Sequence, residues 1–175
     1  MEPLAERHRE GLRAAADAGP EIFRFMAWPG DFDRWFDEAL GSASEVPFAV
    51  LLRGEEVGST RYLNHAPEHR RVEIGWTWVC RAAWGSGANV ETKYLLMRHA
   101  FEVCGLQRVE FKTDARNQRT RGALLAAGAR FEGIARRHMI LPSGPRDSAW
   151  YAVTEDDWPE VKSALEQRIG RFAPG

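Results

Sequence analysis

The order of apolar patterns along the chain predicts a mixed, three-layer α/β fold, with helices packed on both faces of one sheet. Closely spaced short strands, which must run antiparallel, follow a helical N-terminal stretch. A strand–helix–strand unit then sits in the middle of the chain, and two further strands and a helix complete it.

Leu4 to Asp17 is rich in Ala, Glu and Arg and is stopped by Gly19-Pro20. Glu21 to Ala27 reads as a short helical piece, broken by Trp28-Pro29-Gly30. In Asp31 to Leu40 the residues Phe32, Trp35, Phe36 and Leu40 recur at helical spacing, and Gly41 closes the segment. Phe48 to Leu52 and Val57 to Leu63 form a hairpin about Gly54-Glu55-Glu56. His65 to His69 is a polar loop, and Arg71 to Val79 is a strand with Ile74, Trp76 and Trp78 expected on one face. Val90, Tyr94, Met97 and Phe101 mark one helix face, ending at Gly105. Arg108 to Thr113 is strand-like, and Asn117 to Ala127 is a helix closed by Gly128. Ala129 to Leu141 and Asp147 to Val153 read as a hairpin around Pro142-Ser143-Gly144-Pro145, before a last helix from Asp156 to Ile169.

With 175 residues and no repeat or linker, residues 1–175 are expected to form a single domain. A net charge of -1 argues against nucleic acid as a partner, since Arg116, Arg119, Arg121, Arg136 and Arg137 would have to form a continuous basic stripe. Met1 to Arg13 is charged throughout, unlike a signal peptide, and no apolar run approaches the ~20 residues that span a bilayer. No membrane partner and a cytoplasmic location are therefore expected. Cys80 and Cys104 lack metal-type spacing and are expected as reduced thiols, with no metal.

The segment Trp84-Gly85-Ser86-Gly87-Ala88-Asn89 follows a strand and opens a helix. The first turn of a helix leaves N–H groups without partners at the positive end of its dipole, and glycines let an anion approach them. A connection without any ligand is the plainer reading. A Walker loop is excluded, because no Gly-Lys-Ser/Thr follows, and two glycines fit a dinucleotide fingerprint badly. Arg116, Arg119 and Arg121 stand at the start of the next helix, where cations are unfavourable unless an anion binds. A solvated arginine face is the alternative there.

Taken together, "VEIGWTWVCRAAWGSGANVETKYLLMRHAFE", "VEFKTDARNQRTRGALLAAGARFEG" and "RDSAWYAVTEDDW" resemble the GCN5-related N-acetyltransferases (GNAT), and within them the branch of ribosomal-protein N-terminal acetyltransferases. The resemblance runs from about Pro47 to Trp158. It implies a mostly antiparallel sheet that splays at a central parallel strand pair, and acetyl-CoA as co-substrate. Backbone N–H groups from Trp84, Gly85, Ser86, Gly87, Ala88 and Asn89 would hold the pyrophosphate, with Trp84 where the family has Gln or Arg. Asn89 falls where an N-cap is wanted. Asn117 and Thr120, with Arg119 between them, would face the pantetheine arm, whose amides would bond near Trp78, Val79 and Cys80 as an added strand.

Acetyl transfer needs a base for the amine, a polarised carbonyl and a protonated leaving thiolate. Glu73 is the candidate base, acting through water, unless it is an ordinary strand carboxylate paired to Arg71 or Arg108. His138 is the second candidate, with a pKa suited to neutral pH. His65 and His69 could border the acceptor site. The tyrosine acid common in the family has no counterpart between Asn117 and Gly128, which leaves Thr120 to donate to the sulfur. Asp147 and Tyr151 match the family's Asp-x-x-x-Tyr and are expected to support the sheet or the acceptor wall. The implied reaction is acetyl transfer to a primary amine, either a protein N-terminus or a small amine. The missing tyrosine motivates an alternative, a non-catalytic CoA-binding or dimerisation module. An N-terminal edge strand, missing or vestigial before Pro3-Leu4, would leave a sheet edge open to a second subunit of a homodimer.

Overall fold

The computed structural model describes residues 1–141 and 144–172, so Pro142 and Ser143 of the expected turn lie outside the described residues. Strands Glu2–Pro3 (β1), Val46–Leu52 (β2), Glu55–Ala66 (β3), Arg71–Val79 (β4), Arg108–Asp114 (β5), Arg130–Leu141 (β6) and Gly144–Thr154 (β7) form one sheet in the order β1-β2-β3-β4-β5-β7-β6. Every neighbouring pair is antiparallel except β4 and β5, which are parallel. The N-terminal edge strand, expected to be missing or vestigial, is β1, two residues long and paired to Phe48 and Ala49. His65, expected in a loop, belongs to β3, which continues to Ala66.

Helices Arg9–Asp17 (α1) and Phe32–Leu40 (α2) cover one face of the sheet. The side chain of Asp31 caps α2 by accepting from the Arg34 N–H at 3.1 Å, and Phe32, Trp35, Phe36 and Ala39 present the helical apolar stripe. Helices Ala88–Arg98 (α3), Gln118–Ala126 (α4) and Trp158–Gly170 (α5) cover the other face. There Leu96 and Met97 of α3 meet Val161 and Leu165 of α5 over Val72, Ile74, Val109 and Phe111 of the central strands. Each side thus has its own core, and the sheet is the middle of three layers.

Strand β4 serves both cores, and it does so through a defect. Ile74 is buried with α3–α5, whereas Trp78 is buried with α1 and α2, together with the partly buried Trp76. The expected single face of Ile74, Trp76 and Trp78 is therefore wrong. Against β3 the register shifts between Ser59 and Arg61: those partners are Trp78 and Gly75, so β4 holds one extra residue there. Trp76 takes the left-handed backbone this requires, at φ 51°, which is uncommon for a bulky residue. The guanidinium of Arg61 lies 4.9 Å from its ring centroid and is itself buried and paired to Glu45 at 2.7 Å.

Beyond the bulge, β4 is held close to β3. Gly58 pairs with Val79, and a Cβ at Gly58 would stand only 2.1 Å from the carbonyl oxygen of Trp78. Backbone cannot yield here without moving the end of β4. Gly58→Ala is expected to cost about 1–3 kcal/mol, which lowers the thermal midpoint by roughly 2–12 °C for a chain of this size. An unchanged midpoint would mean that β3 does not fix the end of β4.

Candidate active site

Strands β4 and β5 pair only through Arg71–Arg108, Val72–Val109 and Glu73–Glu110, and then part. The gap is a cleft of about 640 Å³ whose walls come from both faces of the sheet. On the α3–α5 face it meets the starts of α3 and α4. On the opposite face it meets Phe25 and Met26, in the loop before α2, and Met139 and Arg146 of β6 and β7.

The glycine loop forms the first end. Gly85 and Gly87 both take positive φ, 77° and 88°, where glycine is favoured. The Oγ of Ser86 donates to the carbonyl of Ala83 and accepts from the N–H of Ala88, which fixes the turn. Among the described residues no acceptor receives the N–H groups of Gly85, Gly87 or Asn89. Unpartnered donors at the positive end of α3 make a concavity suited to an anion. Trp84 donates from its indole to the carbonyl of Val79 at 2.9 Å, and the Arg119 guanidinium lies 3.1 Å from its ring centroid. Phe172, just past α5, covers the loop: a Cβ on Gly87 would come within 2.7 Å of its ring.

Three expectations change at this end. Asn89 is not the cap of α3; Gly87 is, and the Asn89 side chain instead accepts from Lys93 one turn on. The true capping asparagine is Asn117, which accepts from the Thr120 N–H at 3.1 Å. Of the three arginines, Arg116 is paired to Asp114 and Arg121 is bonded to Tyr151 and the Ala115 carbonyl, so Arg119 alone faces the cleft. Tyr151, expected to support the sheet or the acceptor wall, is buried and accepts from Arg121 of α4, and Asp147 accepts from the Arg137 N–H.

The second end is built by alternation. Glu73 lies between Val72 and Ile74 of the α3–α5 core and so projects to the α1–α2 face, where Lys112 of β5 bonds it and Arg146 of β7 bonds the Phe25 carbonyl. Glu73 is 2 % exposed. Its Oε2 accepts from Asn64 at 2.8 Å and Lys112 at 3.3 Å, while Oε1 has no donor among the described residues. The expected partners Arg71 and Arg108 bond Glu110 instead. Gly75 leaves Oε1 uncovered, since a Cβ there would stand 3.3 Å from it. The aromatic stack of Phe23 on Trp28 (3.7 Å), and its contacts to Trp35 and Trp78, pin the loop that carries Phe25 and Met26.

Among the expected site residues, Glu73, Trp78, Val79, Trp84, Gly85, Gly87, Asn89, Asn117, Arg119 and Thr120 line the cleft. Cys80, Ser86, Ala88 and His138 do not: Cys80 donates its N–H to Val57, Ser86 and Ala88 hold the turn, and His138 bonds Ser148 at 3.1 Å beside the cleft. Burial and then the charges of Lys112 and Arg146 hold His138 below the usual histidine range, so it is neutral at pH 7. His65 and His69 are exposed outside the cleft. Sequence reasoning missed Lys93, Lys112, Arg146 and Phe172; only Lys93 carried a signal, its i, i+4 spacing from Asn89. Among the described residues no three His, Cys, Asp or Glu side chains converge as metal ligands, and no helix is long and apolar enough to cross a membrane.

The acetyltransferase (GNAT) domain family matches residues 1–130. An acetyltransferase structure from T. thermophilus is 40% identical, covering 95% of this chain and 91% of its own at a TM-score of 0.86. A GCN5-related N-acetyltransferase from Brucella melitensis is 30% identical, covering 99% and 81% at 0.91. Mycobacterium smegmatis RimJ in complex with CoA-disulfide shares the fold at 23% identity, covering 97% and 88% at 0.83. No curated protein matches the sequence.

Lys93 yields a prediction. Burial pulls its pKa from 10.5 to about 8. The unfolded chain thus holds this proton more tightly, so the folded state is penalised below pH 8 and relieved as pH rises toward 10.5. Lys93→Met is expected to stabilise the free protein at pH 7 by up to about 3 kcal/mol, a gain that closes by pH 10.5. Equal melting of the two proteins at pH 7 would show that the ammonium is solvated.

Proposed function

The chain belongs to the GNAT acetyltransferases, which move an acetyl group from acetyl-CoA to an amine, and we propose that it does so by direct attack of a primary amine with both reactants in the cleft. The acceptor is a protein N-terminus or a small amine. One observation carries this reading: the cleft joins the unpartnered N–H groups of Gly85, Gly87 and Asn89 on one face to the free oxygen of Glu73 on the other. The capture of CoA-disulfide by a protein of the same fold supports it.

In this reading the loop from Trp84 to Asn89 and the cation of Arg119 hold the pyrophosphate. The pantetheine arm runs between the parted strands, past Trp78 and Val79 on one side and Asn117 and Thr120 on the other. Glu73 attracts the ammonium of the acceptor and takes its proton, directly or through water. The amine nitrogen then bonds to the thioester carbon, the carbon–sulfur bond breaks, and the thiolate is protonated as CoA leaves. Thr120 is the candidate donor to the sulfur. Holding both reactants in line is worth ~7–11 kcal/mol by itself, so an absent tyrosine acid does not disable the site.

Acetyl-CoA at about 100 times its Kd stabilises by ~2.7 kcal/mol, a rise in melting temperature of roughly 5–11 °C. The rise is expected with acetyl-CoA and not with ATP, and to vanish in Gly87→Glu. Glu73→Gln is expected to keep the rise while kcat falls about 10²–10⁴-fold. An equal rise with ATP would overturn the assignment of the loop, and unchanged turnover in Glu73→Gln would overturn the base.

A further inference from the structure

We infer that the acceptor is an amine that also carries a carboxylate, and specifically a free α-amino acid with an apolar side chain, bound through Arg146. The inference rests on the acetyl-transfer reading and narrows it. Arg146 lines the cleft, yet it is only 6 % exposed. Its Nη1 donates to the Phe25 carbonyl at 3.3 Å, and its buried Nε has no partner. No carboxylate among the described residues lies within ion-pair distance of it. The nearest candidates are engaged: Asp114 binds Arg116 through both oxygens, and Glu73 binds Lys112. A guanidinium cannot shed its proton to escape burial, so an unpaired buried arginine is costly unless a ligand supplies the anion.

The chemistry of the chamber fits one ligand class. Lys112 balances Glu73, which leaves Arg146 as a surplus positive charge on the α1–α2 face. That surplus repels polyamines. Glu73 and Arg146 line the same cleft, with Lys112 bonded to the first and the Phe25 carbonyl to the second. An α-amino acid is a zwitterion that matches them, with its ammonium at the open Oε1 of Glu73 and its carboxylate on the fork of Arg146. Phe25, Trp76 and Met139 supply apolar walls for the side chain. A peptide N-terminus offers the ammonium and the side chain, but an amide stands where the carboxylate should be.

The test compares L-phenylalanine, L-phenylalaninamide, the dipeptide Phe-Ala and spermidine as acceptors, by release of free thiol from acetyl-CoA. In parallel, calorimetry measures binding of the acid and of the amide to the protein loaded with CoA. The acid is expected to exceed the amide and the dipeptide by about 30-fold or more in kcat/KM, mostly through KM, with spermidine poorest. In Arg146→Gln the ratio of acid to amide should fall to near one, and Arg146→Lys should restore part of it. A melt with acetyl-CoA verifies that each variant is folded. A native protein that accepts the amide or the dipeptide as well as the acid overturns this inference and leaves acetyl transfer standing. So does an acid preference that survives Arg146→Gln. Selective binding of the acid without turnover of any amine would do the reverse: the carboxylate site would stand and the transfer reading would fall.

Discussion

Everything distinctive about this molecule follows from the early parting of β4 and β5. After three residue pairs the two strands stop bonding to each other, although each remains paired along its outer side. Their inner edges keep backbone donors and acceptors that still require partners. A sheet interior would have closed such a gap. Here it stays open because β4 is tied to β3 beyond its bulge and β5 is tied to β7 over its whole length. The opening is thus a product of hydrogen bonding elsewhere in the sheet, and it needs no flexible lid.

The gap also separates two chemical environments. On the α3–α5 face the available groups are backbone N–H donors and cations, a setting for phosphate. On the α1–α2 face a carboxylate, a lysine and an unpaired arginine sit among aromatic side chains. Each core organises its own end: α3 and α4 aim their starts at the gap, while the stack of Phe23, Trp28, Trp35 and Trp78 fixes the loop that reaches Arg146. Charge is therefore sorted across the sheet although the chain as a whole is close to neutral.

The sequence showed elements well and side-chain destinations poorly. Apolar spacing located α2 and α3, and glycines marked the loop and most helix ends, because those signals are local. Asn117 and Asn89 illustrate the limit. Each stands near the start of a helix, and only the backbone decides which one caps it. Arg116, Arg119 and Arg121 look alike in the chain, yet they point to Asp114, Trp84 and Tyr151 respectively. Arg146 was invisible because its isolation is a property of what surrounds it: a strand arginine shows no sign that the nearby acids are already bound. The turned strand at Trp76 was equally hidden, since "EIGWTWV" reads as plain alternation and no residue in it advertises positive φ.

That hidden bulge fixes something other than residue identity. With the extra residue, Ile74 belongs to one core and Trp78 to the other. Straightening this stretch at its present length would restore the two-residue period and turn everything beyond it to the opposite side, whereas loss of one residue between them would only absorb the bulge. In the straightened strand the register with Gly58 and the carbonyl that receives Trp84 would move as well. Along this stretch of β4 the backbone turn at Trp76, rather than the alternation of side-chain types, assigns each residue to its core.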